Sequence, residues 1–175
     1  MSIQHALLTS LLEKPSSGYE LANRFDHSIG YFWQATHQQI YRELGRMTAA
    51  GWLLAEHDPE ETGRRKKTYH VLDAGRQELA RWTAEAGGTG SSDQALLIKL
   101  RAEAVMGPLG AGRELRRLVE RHQQQLQIYR DIEQRDFSSP TMGHAQKLQH
   151  AVLRMGIKTE ENWLAWAEET LPLVE

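Results

Sequence analysis

Two clusters of polar residues carry the chemical potential of this sequence. One is a run of four adjacent cations, Arg64, Arg65, Lys66 and Lys67, inside the alternating apolar stretch TGRRKKTYHVL. The other is the segment ATHQQIYRELGRMTAAGW, in which Thr36, His37, Gln38 and Gln39 precede Tyr41, Arg42 and Arg46. Lys and Arg neutralise phosphates and release condensed counterions, so a dense cationic turn suits a polyanionic backbone. Gln pairs with adenine N6/N7, and Arg with guanine or with phosphate. The chemistry on offer is recognition rather than bond-making. Taken alone, the cation run also reads as a solvated turn balancing Asp58, Glu60 and Glu61 just before it. Tyr41 has its own alternative, as half-buried packing. Set beside the Gln- and Arg-bearing segment, the run reads as a DNA contact.

Other chemistries are not written in the chain. There is no Cys, hence no disulfide framework and no thiolate. Eight His are scattered without ligand spacing. His144 and His150, six apart, fall on different helix faces, so a zinc site is not expected. No phosphate-binding loop, dinucleotide fingerprint or nucleophile elbow occurs. Glu160, Glu161, Glu168 and Glu169 read as the solvated side of a helix. An enzyme is not expected. No stretch approaches the ~18 apolar residues of a membrane span. The start, MSIQHALLTSLLEK, lacks the cationic opening and cleavage site of a signal peptide, so a cytoplasmic protein without a membrane partner is expected. The net charge of −2 does not announce a polyanionic partner, so local patterning carries that argument. The 175 residues, 40% apolar and 25% charged, suffice for one ordinary domain or two small ones.

The elements that must position these clusters follow from periodicity and caps. Ile3, Leu7, Leu8, Leu11 and Leu12 predict a short amphipathic helix ended by Pro15. Ser17 and Glu20 form a capping-box signature opening a second helix, with Tyr19, Leu21, Ala22 and Phe25 as its apolar face and Gly30 as its terminator. Thr36 and Gln39 repeat that signature for a third helix. Its core stripe is Ile40, Leu44 and Met47, and Gly51 is its C′ residue. Residues 52–55 and 68–72 predict two strands of a hairpin, separated by the breakers Asp58, Pro59 and Gly63. Asp73 is expected to cap a fourth helix with Leu79, Trp82 and Ala86 on its apolar face.

Three helices followed by a hairpin with a cationic tip predict a winged helix-turn-helix. In that scaffold the third helix enters the major groove and the hairpin tip meets the backbone. Along LLEKPSSGYEL, HQQIYRELGRMTAAGWL and RRKKTYHVLDAGRQEL, in that order, the sequence resembles the PadR family of transcriptional regulators. The resemblance covers residues 3 to about 86. It departs at Asp73, where the family usually has Thr, and at RMTAA, which carries less acidic charge. The resemblance implies a homodimer that binds a palindromic operator in double-stranded DNA, most often as a repressor, in some members release by a small aromatic or cationic effector, and no metal or redox cofactor. The expected DNA-contacting set is Ser17, Tyr19, Thr36, His37, Gln38, Gln39, Tyr41, Arg42, Arg46, Arg64, Arg65, Lys66 and Lys67. The rival reading is a winged helix used only for protein contact.

Residues 87–93, GGTGSSD, read as a linker between a DNA-binding domain (1–86) and a helical dimerisation domain (94–175). Beyond it no strand signal occurs. Residues 95–105 and 112–136 are helical, and Ser139 followed by Pro140 reads as the N-cap of a final helix. Stripes at 3–4 spacing, Leu115, Leu118, His122, Leu126, Tyr129 and Ile132, then Leu148, Val152, Met155, Thr159, Trp163, Trp166 and Thr170, suit contact between subunits. The dimer residues expected from them are Leu115, Leu118, His122, Leu126, Tyr129, Leu148, Val152, Met155, Trp163 and Trp166. Trp163 and Trp166 also suit a wall for a planar effector, which Tyr129 and His150 could join. The fold class expected is mainly α with one small hairpin.

Overall fold

The computed structural model describes residues 3–27, 35–57, 67–85 and 93–174. They divide into two compact units, Met1–Ala111 and Gly112–Glu175. The first contains α1 (Ile3–Glu13), β1 (Ser16–Ser17), α2 (Gly18–His27), α3 (His37–Ala49), β2 (Leu53–His57), β3 (Lys67–Val71), α4 (Asp73–Ala84) and α5 (Asp93–Met106). The second is built on α6 (Ala111–Asp136) and α7 (His144–Thr170), closed by a 3-10 turn, Leu171–Leu173. No described helix is long and apolar enough to cross a membrane.

The core of the first unit centres on α1. Leu7, Leu8 and Leu11 are buried together with Leu21 and Phe25 of α2, Ile40, Leu44 and Met47 of α3, and Leu79 of α4. The expectation that α1 is amphipathic is corrected. Every residue from His5 to Leu11 is buried, because α3, α4, α5 and β3 all pack on it. α5 adds Ala95, Ile98 and Ala102 to this same core. The compact division therefore falls after α5, whereas the expected linker lies before it. Residues 87–92 of that linker, like Gly30, Asp58, Pro59, Gly63 and Ala86, are outside the described residues.

Two caps follow the sequence signals. Thr36 and Gln39 form the reciprocal capping box at α3. At its other end Gly51 has φ +73°, its N–H reaches the Thr48 carbonyl at 3.1 Å, and the Trp52 N–H reaches the Met47 carbonyl at 2.9 Å. That is a Schellman closure, whose left-handed residue favours glycine. It turns the chain directly into β2.

The sheet has the order β1-β3-β2, all antiparallel. Leu53 faces Val71 and His57 faces Lys67, so the hairpin strands begin one residue later and one residue earlier than expected. β1 was not expected. It is two serines long and exists because Ser16 and Ser17 pair with Tyr69 and Thr68. Two caps are corrected. Asp73 is the first residue inside α4, not its cap, because the Leu72 N–H is still tied to the Trp52 carbonyl and Leu72 remains extended. The Asp73 carboxylate instead meets the positive end of the helix dipole. Ser139 does not cap α7, which starts at His144 behind Gly143. The Ser139 hydroxyl accepts locally from the Thr141 N–H at 3.4 Å.

Candidate nucleic-acid interface

Among the described residues of the first unit, the third helix carries a run of exposed polar side chains. Its inward positions Ile40, Leu44 and Met47 are fully buried, which fixes its rotation about its axis. That rotation leaves Thr36, His37, Gln38, Gln39, Tyr41, Arg42, Gly45 and Arg46 exposed. The capping box spends part of this set. The Gln39 side-chain oxygen accepts from the Thr36 N–H at 3.0 Å, and the Thr36 hydroxyl accepts from the Gln39 N–H at 3.2 Å. Gln39 is thereby pinned at the N-terminus, while Gln38 and Arg42 project one turn apart.

Tyr41 is placed by its neighbours. A Cβ on Gly18 would lie 2.5 Å from its ring, so only glycine lets the ring rest on the first residue of α2. The Tyr69 phenol of β3 is pushed up, first by its burial and then by Tyr41 beside it. Tyr41 is about half exposed, so it sits at a junction of α2, α3 and β3 with one edge in solvent. Tyr19, assigned above to the apolar face of α2, is 66% exposed, because that face is completed by Leu21, Ala22 and Phe25. Ser17 is buried. Its hydroxyl donates to Glu20 at 3.0 Å and accepts the Glu20 N–H at 3.2 Å, while the carboxylate also accepts the Ser17 N–H. The start of α2 thus lies beside Tyr41, with Tyr19 outward.

Two positioning residues escaped sequence reasoning. Arg24 of α2 donates to the Ser10 and Lys14 carbonyls at 2.8 and 2.9 Å and to the Ser16 hydroxyl. It closes the end of α1 and holds β1. Burial lowers its pKa. Glu43 of α3 is a buried carboxylate holding Arg46 at 2.8 Å and Arg42 at 3.4 Å, and its second oxygen accepts from Gln4 of α1 at 3.0 Å. The helical spacing from Ile40 and Met47 puts Glu43 near the inward face, a signal that was available. In the wing, Lys67 opens β3 and is exposed, while Arg64, Arg65 and Lys66 lie outside the described residues.

In the second unit the expected residues separate. His122 of α6 meets Glu160 of α7 and stacks on Trp163 at 3.7 Å, and Trp166 approaches Trp163 edge-on at 5.6 Å. Glu160 is therefore not on a solvated face. His150 bonds Glu133 at 2.6 Å and stacks on Phe137, and Tyr129 lies against Gly156. His150 is thirteen residues from Trp163, about 20 Å along α7. Of the four expected effector residues, Trp163 and Trp166 meet each other, while His150 is engaged by Glu133 and Phe137. A groove of about 550 Å³, lined by Val119, Leu126, Leu164 and Ala165 with Glu161 and Glu168, includes none of them. Leu115, Leu118 and Leu126 are buried, whereas Leu148, Val152 and Met155 are exposed.

Two family models match parts of the chain. Residues 7–81 match the family model described as transcriptional regulator PadR-like family, and residues 94–175 match the one described as virulence activator alpha C-term. A probable transcriptional regulator of Mycobacterium tuberculosis is 41% identical over 97% of this chain and 95% of its own length. The negative transcriptional regulator PadR of Bacillus subtilis is 26% identical over 99% of this chain and 97% of its own. Among solved structures, Bacillus subtilis PadR in complex with operator DNA aligns with 98% of this chain and 97% of that chain, at 24% identity and a TM-score of 0.48. The chain belongs to the PadR-like family of transcriptional regulators.

Proposed function

We propose that this regulator represses transcription by binding a palindromic operator as a homodimer. α3 lies in the major groove and the wing lies on the flanking phosphates. The observation that carries the reading is the exposed face of α3, where Gln38, Tyr41, Arg42 and Arg46 project from a helix whose rotation is fixed by buried Ile40, Leu44 and Met47. Gln38 and Arg42 have the donor geometry for adenine and guanine edges. His37 and the Thr36–Gln39 cap stand at the helix entry, where amides favour phosphate. Tyr19, beside Ser17 at the start of α2, and the wing cations Arg64, Arg65, Lys66 and Lys67 serve the backbone. The negative sign is supported by the name of the Bacillus subtilis relative. The exposed Leu148, Val152 and Met155 of α7 supply a face for the second copy. A small aromatic effector would stack at Trp163 and Trp166, the two expected residues that meet.

The test starts by selecting an operator from a random duplex library with the wild-type protein. Substituting Gln38 or Arg42 by Ala should cost ~1–3 kcal/mol on the selected duplex and little on random DNA. Replacing the four wing cations should weaken both and reduce the salt slope by about 0.9 for each phosphate no longer neutralised. Equal losses on both duplexes for the helix variants would reduce α3 to a backbone clamp. A protein that selects and binds no duplex would instead favour the protein-contact reading.

A further inference from the structure

We propose that Glu43 is a specificity-determining residue of this interface: its carboxylate holds Arg42 and Arg46 against α3, withholding both cations from the phosphates of non-operator DNA while leaving Arg42 oriented for a base edge. The inference rests on the DNA-binding reading above.

The geometry is specific. One Glu43 oxygen takes Arg46 Nη1 at 2.8 Å and Arg42 Nε at 3.4 Å, and the other takes the Gln4 amide at 3.0 Å. The Glu43 side chain is 6% exposed, whereas the two arginine side chains are 58% and 63% exposed. The anion is thus fixed and the cations are the adjustable partners. A buried carboxylate is costly unless paired. If the site only tied α1 to α3, a neutral amide facing Gln4 would do so without burying charge. The charge is accounted for by the arginines.

Two consequences follow from donor chemistry. Arg42 is held through Nε, which leaves its two Nη groups outward as a fork suited to guanine O6 and N7. Arg46 is folded back one turn along α3, so reaching a flanking phosphate means breaking a charge-assisted hydrogen bond. Non-specific binding depends on the number of phosphates neutralised. A site that withholds two cations therefore weakens random-DNA binding more than operator binding, in which oriented donors are rewarded.

The experiment compares full-length wild type, Glu43→Gln and Gln4→Ala on the selected operator and on a random-sequence duplex, between 50 and 200 mM salt. Glu43→Gln keeps an acceptor for Gln4 and removes the charge. It should tighten random-duplex binding about three- to tenfold and steepen the salt slope by about one to two, as the freed arginines each take a phosphate. The operator-to-random ratio should fall about tenfold or more. Gln4→Ala, which breaks the α1 tie but keeps the charge, should leave slope and ratio unchanged. Random-duplex affinity unaltered in Glu43→Gln, or Gln4→Ala reproducing its effect, overturns the proposal. A second arm does not depend on Glu43→Gln folding. In the wild-type background, Arg42→Met with Arg46→Met should lower operator affinity at least tenfold more than random-duplex affinity. Equal losses there also overturn it. A wild type that binds neither duplex removes the DNA reading itself, a different outcome from a wild type that binds both and variants that do not diverge.

Discussion

At the scale of residues, the functional side chains are held by small, local contacts, and Gly18 is the sharpest case. An added Cβ at 2.5 Å from the Tyr41 ring forces something to move. The ring is the far end of a half-exposed side chain, so it yields before the backbone does. Gly18 is also the first residue of α2 and does not have a positive φ, so Ala is conformationally acceptable there and restricts the unfolded chain. Gly18→Ala should therefore keep or slightly raise the melting temperature while weakening operator binding by ~1 kcal/mol, the size of a net hydrogen bond. Tyr41→Ala should show a similar loss, and the double variant should lose little more than either alone, because both remove one placed ring. Additive losses would separate the two residues and return Gly18 to a purely backbone role. Neither this contact nor the Glu43 cluster is written as a motif. The types Gly, Tyr, Glu and Arg were visible, but their convergence depends on how α2 and α1 dock on α3. Gln39 differs: its engagement with Thr36 is local and was readable from the spacing alone.

At the scale of elements, what was legible was what is local. Both capping boxes and the Schellman closure at Gly51 form within six consecutive residues, and each appeared where the sequence placed it. β1 was not legible, because two serines carry no periodicity and are a strand only through Tyr69 and Thr68. Ser139 followed by Pro140 has the composition of a cap, yet its hydroxyl serves its own turn. The stripe of α7 is one face of a single helix, but its two ends have different surroundings. Spacing by 3 and 4 did not separate Trp163, which stacks on His122 with Trp166 edge-on to it, from Leu148, Val152 and Met155, which stay exposed. Charged pairs between elements were equally hidden, and one sets an acid response. Glu78 of α4 is held down to about 2 chiefly by hydrogen bonds from Arg81, with His5 of α1 a smaller contributor. His5, stacked on Trp82, is lowered by its burial, against the pull of Glu78. At neutral pH His5 is therefore uncharged, and Arg81 is the partner that counts. Both shifts have the same sign. Glu78 contributes stability that is present above its unfolded value near ~4.3 and is lost as pH falls toward 2. His5, favoured neutral in the fold, contributes above its unfolded value near ~6.5 and less below it. Acid should thus destabilise the first unit, and Glu78→Gln should flatten the decline between about pH 4.5 and 2 while leaving the shallower limb near pH 6 in place. Urea melts across that range measure it, and an unaltered acid limb would place the titrating group elsewhere.

At the scale of the whole molecule, the operator reading requires two copies. A single winged helix has a small interface and binds weakly, whereas a two-fold dimer doubles the contacts and fixes the half-site spacing to about one helical turn or a multiple. The surface we propose for the second copy is the outward stripe of α7, where Leu148, Val152 and Met155 are 58%, 76% and 68% exposed at positions i, i+4 and i+7. A stripe of that spacing is the seam of a helix–helix contact and is poorly suited to water. The rest of the expected dimer set behaves differently. Leu115, Leu118 and Leu126 are already buried in the single chain, and His122 and Trp163 stack on each other. Substitutions there test folding, while substitutions on the outward stripe test assembly. Val152 stands at the centre of that stripe and is its most exposed member, so Val152→Asp should leave the circular dichroism spectrum unchanged. It should also shift the protein from dimer to monomer in sedimentation at low micromolar concentration, with a loss of operator affinity much larger than the loss on random DNA. Truncation gives an independent comparison, provided that it keeps α5, whose Ala95, Ile98 and Ala102 complete the core of the first unit. A fragment ending at Gly110 should be a folded monomer, whereas one ending in the 87–92 segment loses that part of the core as well. A Val152→Asp variant that still sediments as a dimer moves the interface off α7, and a wild-type monomer at that concentration removes the two-fold operator altogether.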